Sequence, residues 1–108
     1  MTFEEYQKEA RKTAVFPEHR GLEYTALGLT GEAGEVADKV KKVIRDNDGY
    51  CDQSRKEELA KELGDVMWYM SMVSDQLGIK LEDIAKMNVG KLKERQTKGT
   101  LKGSGDNR

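Results

Sequence analysis

Apolar residues recur at helical spacing along nearly the whole chain, and that period leaves few folds open. β-branched alternation is sparse and Pro17 is the single proline, so strands have little to be built from. Thr2 followed by Glu5 reads as a capping box that opens a first helix near 2–14. Residues 15–19, around Pro17, break it. A long second helix is expected over about 22–45, with an apolar stripe of Leu22, Ala26, Leu29, Ala33, Val36, Val40, Val43 and Ile44. Asp46, Asn47, Asp48 and Gly49 form a turn signal. Aligning Gly49 with the glycine of a calcium loop puts Ile44 at the first ligand position, which rules that loop out. Ser54 and Glu57 give a second capping box, for a helix over about 55–77 striped by Leu59, Leu63, Val66, Met70, Val73 and Leu77, with Gly78 as its stop. A fourth helix is expected over 81–95, with Leu81, Ile84, Ala85 and Leu92 inward. The chain thus reads as one all-α domain of four helices over residues 1–96. Residues 97–108, rich in Gly, Lys and Ser, form a flexible tail unless a ligand or partner holds them.

The 108 residues suffice for one small domain, but only 36% are hydrophobic and another 36% are charged. Narrow apolar stripes of this kind commonly need a second subunit to cover them, so the bundle is expected to be shared across a homodimer or homotetramer. A net charge of −1 is not the basic profile that drives nucleic-acid binding. One cysteine, Cys51, permits no internal disulfide, and no apolar run approaches membrane-spanning length. A soluble, cytoplasmic protein without nucleic-acid or membrane partners is expected.

Two segments repeat one pattern. Leu29, Glu32, Gly34, Glu35 and Val36 recur as Leu59, Glu62, Gly64, Asp65 and Val66, and Val43 and Val73 continue the match. At roughly 100° per residue, the first acid of each pair lies about 60° from its leucine and the second about 120°, on the same side. The acids therefore flank the buried stripe. If the two helices pack antiparallel, the shared offset brings both pairs onto one face. Four carboxylates at the edge of a core repel one another and lose hydration, and a hard divalent cation with oxygen ligands supplies the missing charge. Gly28, Gly31, Gly34 and Gly64 beside them suggest a close approach by backbone or ligand, since a mid-helix Gly costs about 1 kcal/mol relative to Ala. One acidic pair alone would read as an ordinary solvated helix face; two in matched contexts point to metal.

These residues resemble the signature of the all-α nucleoside triphosphate pyrophosphohydrolases, in their MazG-like branch: Glu-x-x-Glu at Glu32 and Glu35, a linker, then Glu-x-x-Asp at Glu62 and Asp65. The resemblance covers about residues 20–95. It implies hydrolysis between the α and β phosphates of a (deoxy)nucleoside triphosphate, dependent on Mg²⁺ (or Mn²⁺ in its place), and a nucleotide-pool house-cleaning role. It also implies a helical core shared between subunits. Glu32, Glu35, Glu62 and Asp65 would be the metal ligands. The ion would bridge phosphate oxygens and acidify a water, which one carboxylate, Glu35 by preference, orients or deprotonates.

Asn88, Lys91 and Arg95 resemble the family's C-terminal Asn-x-x-Lys segment and share a helix face. They read either as substrate-binding residues, the two bases on the triphosphate, or as a basic last turn that complements the helix dipole. Tyr69 lies on the acidic side and could line the pocket, with Tyr24 and Phe16 as further base-wall candidates. Trp68 suits a base stack or, better, an oligomer interface. His19, the single histidine, precedes the second helix as a substrate-binding candidate or a surface residue. Lys98 and Lys102 either solvate the tail or fold over phosphates. Two other functions compete. A redox di-metal bundle needs two Glu-x-x-His pairs, which one histidine cannot supply. A non-catalytic oligomerisation module with a structural metal site would leave the four intact acids without catalytic use.

Overall fold

The computed structural model describes all of residues 1–108. It contains four α-helices and no strand: α1 (Phe3–Arg11), α2 (Gly21–Asn47), α3 (Gln53–Leu77) and α4 (Leu81–Lys98), with a 3₁₀ turn at Glu18–Arg20. The all-helical expectation holds. Thr2 caps α1, its hydroxyl accepting from the Glu5 N–H at 3.1 Å, as the capping box predicts. Gly78 ends α3 in the left-handed conformation at φ 68°, a conformation that a Cβ would strain. Several boundaries differ from expectation: α1 stops at Arg11, short of 14, and α2 continues past 45 to Asn47. Asp52, not Ser54, caps α3: its carboxylate accepts from the Arg55 N–H at 3.0 Å and pairs with the Arg55 guanidinium at 2.7 Å. Asp52 immediately precedes the first helical residue, Gln53, so its carboxylate reaches the free N–H groups of the first turn, whereas Ser54 already lies inside the helix. α4 also runs three residues beyond 95, to Lys98, before Gly99 stops it.

α2 and α3 form an antiparallel hairpin. Gly21 faces Gln76, Gly28 faces Tyr69, and Lys39 pairs with Glu58, which sets Glu32 level with Asp65 and Glu35 level with Glu62. α1 crosses α3 and is pinned there by the buried Gln7. Its amide donates to Asp75 Oδ1 at 2.7 Å and to Ser71 O and Ser74 Oγ, and its carbonyl accepts from the Leu81 N–H at 3.0 Å. That last bond satisfies a donor at the start of α4, which has no side-chain cap of its own. Arg11 clamps Asp75 with two bonds of 2.8 and 2.7 Å beside it.

The expected apolar stripes divide between two faces. The α2–α3 seam buries Gly21, Thr25 and Val43 and half-buries Leu29, Val36, Leu59 and Val66. Leu22, Val40 and Ile44 of α2, Leu63, Met70 and Leu77 of α3, and Leu92 of α4 are exposed, Ile44 at 65%. A 36% apolar chain folded as a hairpin layer has too few neighbours to cover both sides of each long helix. Its accessible surface, 8029 Å², exceeds the about 6,000 Å² of a compact monomer of this mass. Its radius of gyration, 16.8 Å, exceeds the about 13 Å expected for a chain of this length.

Candidate metal centre

The antiparallel register brings three acids to one point. Oxygens of Glu32, Glu62 and Asp65 all lie within 4.8 Å of one another. Glu32 comes from the middle of α2, Glu62 and Asp65 from successive turns of α3. Glu35 lies outside this group, on the adjoining groove, which Glu62 also lines from the facing helix. Three converging carboxylates, two of them half-buried, suit a hard cation that takes oxygen ligands. No histidine or cysteine approaches them, which disfavours softer ions.

The electrostatics agree with the geometry. The Glu32 carboxyl is pushed above its ordinary value, first by burial, then by the charges of Asp65, Glu62 and Glu35. Around the acids stand phenols. Tyr69 is raised by burial first, then by Tyr24 and by the charges of Glu32 and Asp65; Tyr6 is raised by burial and by Asp65. A carboxyl raised in the folded state holds its proton more tightly than in the unfolded chain, so its contribution lowers stability as pH rises from the unfolded value through the folded one. Glu32→Gln removes that penalty. In chelator, the variant should melt higher than wild type at neutral pH, and the difference should shrink on acidification to the ordinary carboxylate range. A thermal unfolding series against pH checks this; a lower melting temperature at neutral pH contradicts it.

Aromatic rings extend the site toward the start of α2. Tyr69 packs flat over Gly28, where a Cβ would lie 2.5 Å from its Cδ1 and Cζ. Trp68 meets the Tyr69 ring edge-on at 4.9 Å and the Phe16 ring at 6.5 Å, and Phe16 stacks on Tyr24 at 5.3 Å. The Trp68 indole N–H donates to Thr13 Oγ1 at 2.8 Å. Trp68 is half-buried and fastens the linker after α1 onto α3.

The α4 residues are not brought to the acids within one chain. α4 packs on α1 and α3 but not on α2. Asn88 and Lys91 are exposed, and neither they nor Arg95 lines the groove beside the acids. Arg95 is buried: its guanidinium donates to the Asp106 carbonyl at 2.9 Å, so the C-terminal tail folds over it. Arg108 fastens the same tail by donating to Thr100 O and Gly105 O. His19 is exposed on the 3₁₀ turn. A larger cleft of about 500 Å³ lies between α1 and the end of α3. It holds none of the acids, and Gln7, Arg11 and Asp75 satisfy one another across it. Gln7 and Lys39, central to the packing and to the groove, carry no motif that sequence reading would select.

The hairpin thus carries Glu-x-x-Glu on one helix and Glu-x-x-Asp on the other, with Glu32, Glu62 and Asp65 converging. The family profile of the MazG nucleotide pyrophosphohydrolase domain matches residues 20–100, and the chain belongs to that family. It is 45% identical over 109 residues to the Gene 37 protein of Mycobacterium phage L5, covering 95% of this chain and 96% of the phage protein. It is 38% identical over 72 residues to the uncharacterized protein YvdC of Bacillus subtilis (strain 168), covering 62% of this chain and 68% of YvdC. No solved structure matches significantly. No helix is long and apolar enough to cross a membrane.

Proposed function

We propose that the chain hydrolyses nucleoside triphosphates between the α and β phosphates, releasing a nucleoside monophosphate and pyrophosphate, with Mg²⁺ as cofactor and Mn²⁺ able to replace it. The observation that carries this reading is the convergence of Glu32, Glu62 and Asp65 inside the region matched to the family. These three would hold the ion, with Glu35 joining them from the groove or acting on water. A divalent ion held there would supply positive charge against the phosphate oxygens. Glu35, level with Glu62 but outside the tight cluster, would orient an attacking water and accept its proton, a role its position in the adjoining groove supports. Tyr69, Tyr24 and Phe16, aromatic residues at the same end of the hairpin, would line the part of the site that takes the base or sugar.

The exposed faces of α2, α3 and α4 support a homodimer or homotetramer. A neighbouring subunit would also bring Asn88 and Lys91 to a site they do not reach in their own chain. Arg95 joins them only if the tail leaves it. Light scattering after size exclusion should give a mass of two or four chains, and Ile44→Asp, a charge on that apolar face, should shift it to one. A wild-type mass of one chain contradicts the assembly.

The activity is tested by incubating the protein with a panel of ribo- and deoxyribonucleoside triphosphates, including unusual bases, and Mg²⁺. Monophosphate and pyrophosphate in equal amounts, absent in chelator, are expected. Release of orthophosphate with a diphosphate product would overturn the bond assignment. A house-cleaning role in a nucleotide pool follows if unusual or surplus nucleotides are the best substrates.

A further inference from the structure

Next to the acids, α2 and α3 enclose an open groove of about 410 Å³ whose lining includes Glu35, Lys39, Lys42, Arg55, Glu58 and Glu62. Three of these are cations, and the sequence pattern assigned none of them to the site. Two are already committed. Lys42 is held by Asp38 at 2.8 Å, and Asp38, bonded to both Lys42 and Lys41, is drawn down to about 2. Arg55 is tied to the capping Asp52 at 2.7 Å.

Lys39 is placed differently. Its half-buried ammonium stands 3.6 Å from Glu62 and 3.7 Å from Glu58, beyond the roughly 3.2 Å limit of a good N–H···O bond, and it makes no hydrogen bond. Its charge is balanced but its donors are free. Glu62 is also one of the three converging acids. A divalent ion drawing on Glu62 would take away the counter-charge of Lys39 and set two positive centres a few ångströms apart. An anion that bridges both restores the balance.

Direction follows from the register. Along the hairpin the order is Tyr24, Gly28 and Tyr69 at one end, Glu32 and Asp65, then Glu35 and Glu62, then Lys39 and Glu58, and Lys42 with Arg55 nearest the α2–α3 turn. Lys39 lies about 10 Å along α2 from Glu32 at 1.5 Å per residue, and helical side chains lean back toward the N-terminus, so both lysines lean toward the acids.

We propose that this groove is a polyphosphate subsite: Lys39 holds the β- and γ-phosphoryl groups of the substrate and the pyrophosphate they become, with Lys42 and Arg55 flanking it. The substrate then lies along the hairpin with its base at the aromatic end and its phosphate tail toward the turn. The assignment rests on the activity proposed above. Lys39 as a mere neutraliser of Glu58 and Glu62 is the competing role, and binding measurements separate the two.

Calorimetric titration of magnesium pyrophosphate, and separately of a nucleoside monophosphate, into the Mg²⁺-saturated full chain tests it. Lys39→Met should weaken pyrophosphate by about tenfold or more, Lys39→Arg should retain most of the affinity, and monophosphate binding should stay within about twofold. Mg²⁺ alone should bind Lys39→Met no more weakly than wild type, because a competing cation is gone. Lys42→Gln, on an exposed side chain, is the second variant should Lys39→Met not fold, and it should weaken pyrophosphate several-fold. Pyrophosphate affinity unchanged in the folded variants, or no pyrophosphate binding by wild type, overturns the subsite. A wild type that binds pyrophosphate through Lys39 yet hydrolyses no nucleotide contradicts the proposed activity and leaves the subsite standing. Hydrolysis with pyrophosphate affinity indifferent to Lys39 does the reverse.

Discussion

Glu62→Gln should lower kcat/KM by about a thousandfold, because the loss of ion-borne charge stabilisation is worth several kcal/mol and each 1.4 kcal/mol is about tenfold. The amide keeps the shape of the side chain but removes one charge and turns one oxygen into a donor. Glu62 has the most connected position of the three acids: it converges with Glu32 and Asp65 and also faces Lys39 at 3.6 Å. Mg²⁺ should raise the melting temperature of the wild type, and the substitution should abolish that rise. Glu57→Gln, on an exposed acid of the same helix, is the control and should leave both readouts unchanged. Steady-state pyrophosphate release and thermal shift check this, and activity within tenfold of wild type for Glu62→Gln contradicts it.

Gly28→Ala should destabilise the fold by about 2 kcal/mol although alanine is the better helix former. An added Cβ would overlap the Tyr69 ring, lying 2.5 Å from two of its carbons. That ring is braced by Trp68 at 4.9 Å and cannot swing freely. Overpacking of this kind costs up to about 3 kcal/mol, against about 1 kcal/mol gained in helix propensity. The net change corresponds to a fall in melting temperature of roughly 8–16 °C for a domain of this size. In a Tyr69→Ala background the same substitution should cost far less, a coupling that a double-mutant cycle isolates. Equal costs in the two backgrounds would remove the ring contact as the reason for the glycine.

The helices and the acids were legible because each has a local cause. Apolar period, Thr2 at one end and Gly78 at another fix helices through contacts within a turn of chain, and the acids sit at matched offsets from Leu29 and Leu59. Only one of the four glycines near the acids has its reason inside the chain: Gly28 faces Tyr69, while Gly31, Gly34 and Gly64 have open space beside them. Residues whose roles depend on distant partners were not legible. Gln7 looks like any surface polar residue until α3 and the start of α4 close around its amide. Lys39 looks like one of several helix lysines until the register places it against Glu62. Arg95 reads as a substrate-binding residue or part of a basic last turn, yet the backbone of the tail covers it. Apolar period locates the stripes but does not say which of their two flanks meets the partner helix, so Leu22, Val40 and Ile44 fall outside the seam that Val43 enters.

Manganese titration followed by electron paramagnetic resonance, with wild type and Asp65→Asn compared in the presence of a nucleotide whose α–β bridge cannot be hydrolysed, tests the convergence of Glu32, Glu62 and Asp65 on a divalent ion most directly. Saturable binding that quenches the free-ion signal in wild type, that Mg²⁺ displaces, and that falls by at least about tenfold in Asp65→Asn is the predicted result. A free-ion signal that rises linearly with added manganese in wild type, or equal binding by the two proteins, would contradict it.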